Sequence, residues 1–346
     1  MSLYQISADQ LPELFTRLAE QSALYLPLET AGTVRFGRWD GEAPARLDCL
    51  LTALPPKGMF FPQTEPLAAF KTSGKAIEII DTHDENEPFV LFGVRACDAA
   101  GFDILDRVFL SEPADSFYRN RRQNGTVISL ACSEPEESCM CAAFGIKASA
   151  PAGDVVTWLI GDTLYWKSAT EKGDTLTGSL AGLLEAALGA EAIVTAHQQE
   201  TDALIAQMPL SGIQPESTSG ALKNIFDSPE WAKLSAACLG CGSCTFVCPT
   251  CHCYDIRDYD TGHEVRRFRC WDSCMYSDFT LMAHGNPRTS QIERFRQRFM
   301  HKLVYYPANN EGIYACVGCG RCIGKCPVSM NIAKVIRTLG GGRNGR

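Results

Sequence analysis

Apolar residues at Leu11, Leu14, Phe15 and Leu18 recur at i, i+3, i+4, i+7, which predicts an amphipathic helix over DQLPELFTRLAEQ. Two short apolar runs, PFVLFGVR (88–95) and GTVISLAC (125–132), have the length of strands. Each ends at a cysteine: Cys97 lies just beyond the first and Cys132 closes the second. VVTWLIGDTLYWKS (155–168) predicts a hairpin turning at Gly161-Asp162, and SLAGLLEAAL (179–188) reads as helical. These elements predict an α/β or α+β domain over residues 1–215, with the strand order open. Residues 199–220 lose periodicity and gather Pro, Ser and Gly, as a linker does. After it, ALKNIFDSPEWAKLSAAC leads helically into a run of cysteines, and PRTSQIERFRQRFMHKLVYYP (287–307) predicts one long helix. In that helix Ile292, Phe295, Phe299 and Leu303 form an apolar packing stripe, and Arg288, Arg294, Arg296, Arg298 and Lys302 supply the charge. Residues 216–346 are therefore expected to be mostly helical, with metal-binding loops.

The 346 residues, 45% hydrophobic and 21% charged, form an ordinary globular composition with room for two domains. The N-terminus lacks a basic segment followed by an apolar run, and no apolar stretch approaches the ~20 residues of a membrane span. The expected location is the cytoplasm, where reducing conditions disfavour structural disulfides. Seventeen cysteines there point to metal or redox chemistry. The net charge of −8 hides a division: residues 1–230 hold 16 Lys+Arg against 32 Asp+Glu, and residues 231–346 hold 16 against 8. Twelve of the cysteines lie in that second, basic part. The basic balance fits offsetting anionic clusters or steering an acidic partner better than it fits nucleic acid.

Cys238, Cys241, Cys244 and Cys248 before Pro249 read C-x2-C-x2-C-x3-C-P, and Cys316, Cys319, Cys322 and Cys326 before Pro327 repeat it. This is the bacterial ferredoxin spacing for 4Fe–4S clusters. Two-residue gaps let one tight loop aim three thiolates at three irons, and the interleaved glycines let the backbone pass close. In two-cluster ferredoxins the fourth cysteine of each run ligates the other cluster. On that pattern Cys238, Cys241, Cys244 and Cys326 take the first cluster, and Cys316, Cys319, Cys322 and Cys248 the second. Structural zinc would want two separated C-x2-C pairs about one ion. The 67 residues between Cys248 and Cys316 exceed what a small ferredoxin needs, so the clusters are expected between helices of a larger domain.

Cys251, Cys253, Cys270 and Cys274, with His252, read either as a further metal site or as thiols packed beside the clusters, the second being favoured. Cys97, Cys132, Cys139 and Cys141 sit at the ends of predicted strands, where α/β folds place their sites. Together they could hold a third iron–sulfur cluster or a zinc; otherwise they are loop cysteines that never meet. Cys49 stands alone. No G-x-G-x-x-G follows a strand, and there is no P-loop or G-x-S-x-G. The chain carries redox cofactors but no recognisable substrate pocket.

The segments VRACD, DRVFL, CSEPEESCMC, CLGCGSCTFVCPTCHCYDI, SCM and CVGCGRCIGKCP resemble the 4Fe–4S dicluster proteins of two kinds: the dicluster electron-transfer protein of anaerobic sulfite reductase and the beta subunit of sulfhydrogenases. The resemblance implies an electron-transfer subunit that is not itself catalytic. It implies a partner binding FAD and NAD(P)H, and a catalytic subunit: a sirohaem sulfite reductase, a nickel–iron hydrogenase or a heterodisulfide-reductase-like module. The anaerobic sulfite reductase kind is the expected match, with the sulfhydrogenase or heterodisulfide-reductase-linked kind as the alternative. A second alternative is an enzyme acting on a sulfur compound at the N-terminal cysteines.

Overall fold

The computed structural model describes residues 2–73, 76–82, 87–218 and 222–340. The strands, in chain order, are β1 (Leu3–Ser7), β2 (Ala23–Thr30), β3 (Thr33–Arg38), β4 (Thr64–Ser73), β5 (Ala76–Asp81) and β6 (Phe89–Val94). They continue with β7 (Gly125–Leu130), β8 (Val155–Ile160), β9 (Thr163–Ser168), β10 (Glu185–Ala186), β11 (Tyr254–Asp260) and β12 (Glu264–Trp271). Eight of them form a mixed sheet in the order β10-β1-β9-β8-β7-β6-β2-β3. Its centre, β2-β6-β7-β8, is parallel, and its flanks are antiparallel.

The period-2 alternation of β6 shows why the centre is double-sided. Val90 and Phe92 pack with Leu14, Phe15 and Leu18 of the helix Leu11–Gln21 on one face. Phe89 and Leu91 pack with Phe102, Leu105 and Phe109 of the helix Ala96–Phe109 on the other. A strand covered on both faces carries a continuous apolar run, as FVLFGV does. The hairpin at Gly161-Asp162 is present, closed by β8 and β9 with Gly161 at φ 56°.

Two expectations are corrected. Residues 179–188 are not a helix; the helix is Glu171–Ser179, and the chain then turns through Gly182 at φ 87° into β10. Leu180, Leu183 and Leu184 have helical spacing, but they are buried from a turn, because pairing of Glu185 and Ala186 with β1 pulls the segment into the sheet. Nor does a linker begin at residue 199. The helix Glu191–Ala206 runs through that position, burying Val194, Thr201 and Ile205, a face too narrow to register as periodic. Ile213 is buried among C-terminal residues, and residues 219–220 of the expected linker lie outside the described residues.

The second sheet, β11-β12-β4-β5, is antiparallel throughout and joins strands from both sides of residue 215. Its ribbon β11-β12 occupies part of the long interval between the two cysteine runs. The other elements of the C-terminal part are helices joined by loops, among them Glu230–Ser235, Ser243–Phe246, Gln291–Met300, Arg321–Gly324 and Ile332–Leu339. The chain is thus a mixed α/β N-terminal domain followed by a helical cysteine-bearing one. The expected helix over 287–307 starts at Gln291, where Ser290 and Glu293 form a capping box, and passes through a π-helical turn at His301–Tyr305 into Tyr306–Asn309. Among the described residues no helix is long and apolar enough to cross a membrane.

Candidate metal centres

The two cysteine runs fold alike. Each has a glycine in the left-handed region, Gly242 at φ 74° and Gly320 at φ 80°, capping a one-turn helix, Ser243–Phe246 or Arg321–Gly324. These two helical turns pack against each other. Cys248, from the first run, lines a cavity together with Cys316, Cys319 and Cys322 of the second. The cavity is small and is closed by Met140, Arg298, Lys302, Gly318 and Ile332. In the first run, Cys238 and Cys244 pack against the helical core, and Gln291 Nε2 lies 3.4 Å from Cys238 Sγ. Cys241 is exposed, and the Ser243 hydroxyl beside it lowers its thiol. Cys326 Sγ accepts from the Met330 amide at 3.2 Å.

The charges of the 291–309 helix divide in a way the sequence reading missed. Arg298 and Lys302 are 3% and 4% exposed and point at sulfur. Lys302 Nζ donates to Cys248 Sγ at 3.4 Å, Thr250 Oγ1 at 2.8 Å and the Ala315 carbonyl at 2.8 Å. Burial acts to lower both cations, but the surrounding cysteines together reverse it and hold both above their ordinary range. The Arg298 Nε is buried with no protein partner. This donor beside four thiols, a buried ammonium and a cavity suits an anionic group carrying extra acceptors, as an iron–sulfur cluster does. The signal was present in the sequence: positions 295, 298, 299, 302 and 303 share one helix face, so two cations sit within the apolar stripe.

The segments quoted for the family resemblance also acquire a physical role. Arg321, inside the second run, makes a doubly bonded ion pair with Asp98 of VRACD at 2.5 and 2.7 Å, both residues being 2% exposed at the side chain. Its Nε also donates to the Thr52 carbonyl at 2.9 Å. Glycine is required where the second run meets the CMC segment: a Cβ on Gly318 would lie 2.5 Å from the Met140 carbonyl oxygen. Met140 N donates to Gly318 O there at 2.9 Å.

Cys97, Cys132, Cys139 and Cys141 are brought together and line a second small cavity with Leu50, Arg95, Ile205, Gly318 and Cys319. Burial pushes all four thiols up, Cys139 to about 11 and Cys141 to about 12, and Cys132 adds to the effect on the other three. Cys49 is not among the lining residues. Of the remaining cysteines, Cys251 donates to Cys248, which lowers Cys248 and raises Cys251. Cys253 and Cys274 form a similar pair, holding Cys253 at about 7. Cys270 stands apart on β12. Buried Lys57 donates to the Cys251 carbonyl at 2.7 Å and lies 4.0 Å from the Trp271 ring centroid, and burial pulls it down to about 8.

Matching cysteine loops joined by a shared cavity, on an α/β domain that grips them through Asp98 and Met140, define an iron–sulfur protein with paired sites. Residues 237–330 match the family described as the 4Fe-4S dicluster domain, whose cofactors are two 4Fe–4S clusters. The chain is 32% identical over 338 residues to sulfhydrogenase 2 subunit beta of Pyrococcus furiosus, covering 97% of this chain and 98% of that one. It belongs to the sulfhydrogenase beta-subunit family.

Proposed function

We propose that the chain is the electron-transfer subunit of a multi-subunit oxidoreductase of the sulfhydrogenase kind. The observation that carries this reading is the cavity shared by Cys248 and the second cysteine run, in a chain aligned end to end with a sulfhydrogenase subunit. Cys316, Cys319, Cys322 and Cys248 would hold one 4Fe–4S cluster, and Cys238, Cys241, Cys244 and Cys326 the other. When bound, such a cluster supplies one-electron redox chemistry. The protein's part is to hold the thiolates, exclude water with Met140 and Ile332, and offset negative charge with Arg298 and Lys302. Exposed Cys241 and Leu239, the latter 67% exposed, offer the first run to a partner.

The partners under this reading are a subunit binding FAD and NAD(P)H and a nickel–iron hydrogenase subunit. The anaerobic sulfite reductase reading, first expected, now stands second, because the full-length relative is a sulfhydrogenase subunit. Isolating the native complex from its host and analysing its prosthetic groups tests the choice. Nickel and flavin are expected in the complex. Sirohaem with sulfite-reducing activity would replace the reading by its rival, and turnover of a sulfur compound by the isolated chain would overturn both.

A further inference from the structure

The N-terminal cavity repeats the chemistry of the C-terminal one with residues from another part of the chain. Both are small cavities lined by cysteines: Cys97, Cys132, Cys139 and Cys141 with Cys319 in the N-terminal one, and Cys248, Cys316, Cys319 and Cys322 in the C-terminal one. Each also contains a buried arginine, Arg95 at 8% and Arg298 at 3% exposure, whose Nε finds no protein partner. The rest of the Arg95 guanidinium is fixed: Nη1 donates to the Ala131 carbonyl at 2.9 Å, and Nη2 to the carbonyls of Leu47 at 2.5 Å and Cys49 at 3.3 Å. A buried donor left unmatched costs about 1–3 kcal/mol. The buried, neutral thiols beside it leave that donor unmatched.

We propose that Cys97, Cys132, Cys139 and Cys141 hold a third 4Fe–4S cluster, with Arg95 Nε donating to it, directly beside the second cluster's site. The proposal rests on reading the C-terminal domain as the carrier of two clusters. Zinc fits the geometry poorly. Zinc–sulfur bonds of about 2.3 Å draw thiolates close around one ion, whereas these sulfurs ring a cavity. Among the described residues no three Cys, His, Asp or Glu side chains converge as on a single ion.

The wall between the two sites is one layer of backbone. Gly318 and Cys319 line both cavities, and Met140 closes the C-terminal one while its neighbours Cys139 and Cys141 line the N-terminal one. Cys319 belongs to the second run, so the N-terminal site has its four thiolates without it. The site also reaches a surface: Leu50 and Arg95 line a further cleft with Leu130, Ser133, Glu134 and Leu159, at the carboxyl ends of β6, β7 and β8.

The test uses the full-length chain, purified anaerobically and analysed for iron and zinc. Electron paramagnetic resonance of the reduced protein is recorded beside Cys132→Ser and Arg95→Gln. We expect about twelve irons per chain, four for each cluster, falling to about eight in Cys132→Ser with two cluster signals retained. In Arg95→Gln, which keeps every thiolate, the third signal should shift in potential or line shape while the other two stay. About eight irons in the wild type, with or without one zinc, would overturn the third cluster and leave the two-cluster reading standing. Four or fewer would overturn the two-cluster reading itself. The wild-type count decides the matter even where Cys132→Ser fails to fold.

Discussion

The N-terminal and C-terminal cavities hold the same kinds of side chain but are assembled by opposite routes. In the C-terminal cavity three of the four cysteines come from one seven-residue stretch, Cys316 to Cys322, so a tight loop does most of the placing. In the N-terminal cavity the ligating candidates come from three places: the start of the helix after β6, the end of β7 and the loop beyond it. There the parallel sheet does the placing, by ending β6 and β7 side by side. Their charge compensation differs too. The C-terminal cavity has two cations one helical turn apart, Arg298 and Lys302, whereas Arg95 alone lines the N-terminal one. A local loop site can be copied between folds, but the convergent site requires the whole sheet.

The largest effect is expected from Arg321, which joins the two assemblies. Arg321→Met leaves Asp98 buried without its partner, and breaking a buried pair in this way costs about 3–5 kcal/mol. Because the pair clamps the second cysteine run to the helix after β6, both cavities should lose geometry together. Urea unfolding should show the loss, with iron retention falling in parallel. Asp98→Asn combined with Arg321→Met should cost less than the two changes added, since the stranded charge is gone. If Arg321→Met leaves stability unchanged, the two cavities do not depend on this clamp.

The same contrast explains what could be read from the sequence. The repeated C-x2-C-x2-C-x3-C-P run was legible because its ligands are contiguous and their spacing is dictated by cluster geometry. So were the helix Leu11–Gln21, where burial follows the helical period, and the strands β6 to β9, which are short apolar runs. The meeting of Cys97 with Cys132, Cys139 and Cys141 could only be suspected, because it depends on which strands neighbour each other. Leu180, Leu183 and Leu184 misled because sheet pairing of the next two residues outweighed helical spacing. The helix at 288–302 could be read as a source of charge for the clusters, but which of its cations turn inward, Arg298 and Lys302, was not legible, because burying a cation is costly unless sulfur anions compensate it.

A second prediction sharpens the difference in charge. Lys302→Met removes a buried cation, and the hydrogen bond to Cys248, from the C-terminal cavity alone. Losing positive charge disfavours the more negative, reduced state of whatever cluster the cavity holds, so its potential should fall. A unit charge ~4 Å away at an effective dielectric of ~20 is worth roughly 4 kcal/mol. Since relaxation offsets part of it, a fall on the order of 100 mV is expected. A redox titration followed by electron paramagnetic resonance should show one signal moving and the rest holding. Equal movement of all signals would mean that the cavities share one electrostatic environment, and the contrast between them would fail.

The smallest effect concerns acid, which should weaken the C-terminal side first. His252 and His301 face each other there with ring centroids 5.7 Å apart, and burial lowers each to about 4. Lys302 lowers both further, Lys57 acts on His252, and Arg288 acts on His301. Among the described residues, no histidine lines the N-terminal cavity. Between the ordinary value of 6.5 and about 4, the unfolded chain binds protons at these positions that the folded chain does not. Stability must therefore fall as pH drops through that window. His301→Gln removes one of the two groups. Going from pH 7 to pH 5, its denaturation midpoint should fall less than the wild type's, by the equivalent of about 1–2 kcal/mol. Parallel losses in the two proteins would show that acid acts elsewhere and that this histidine pair does not set the weaker side.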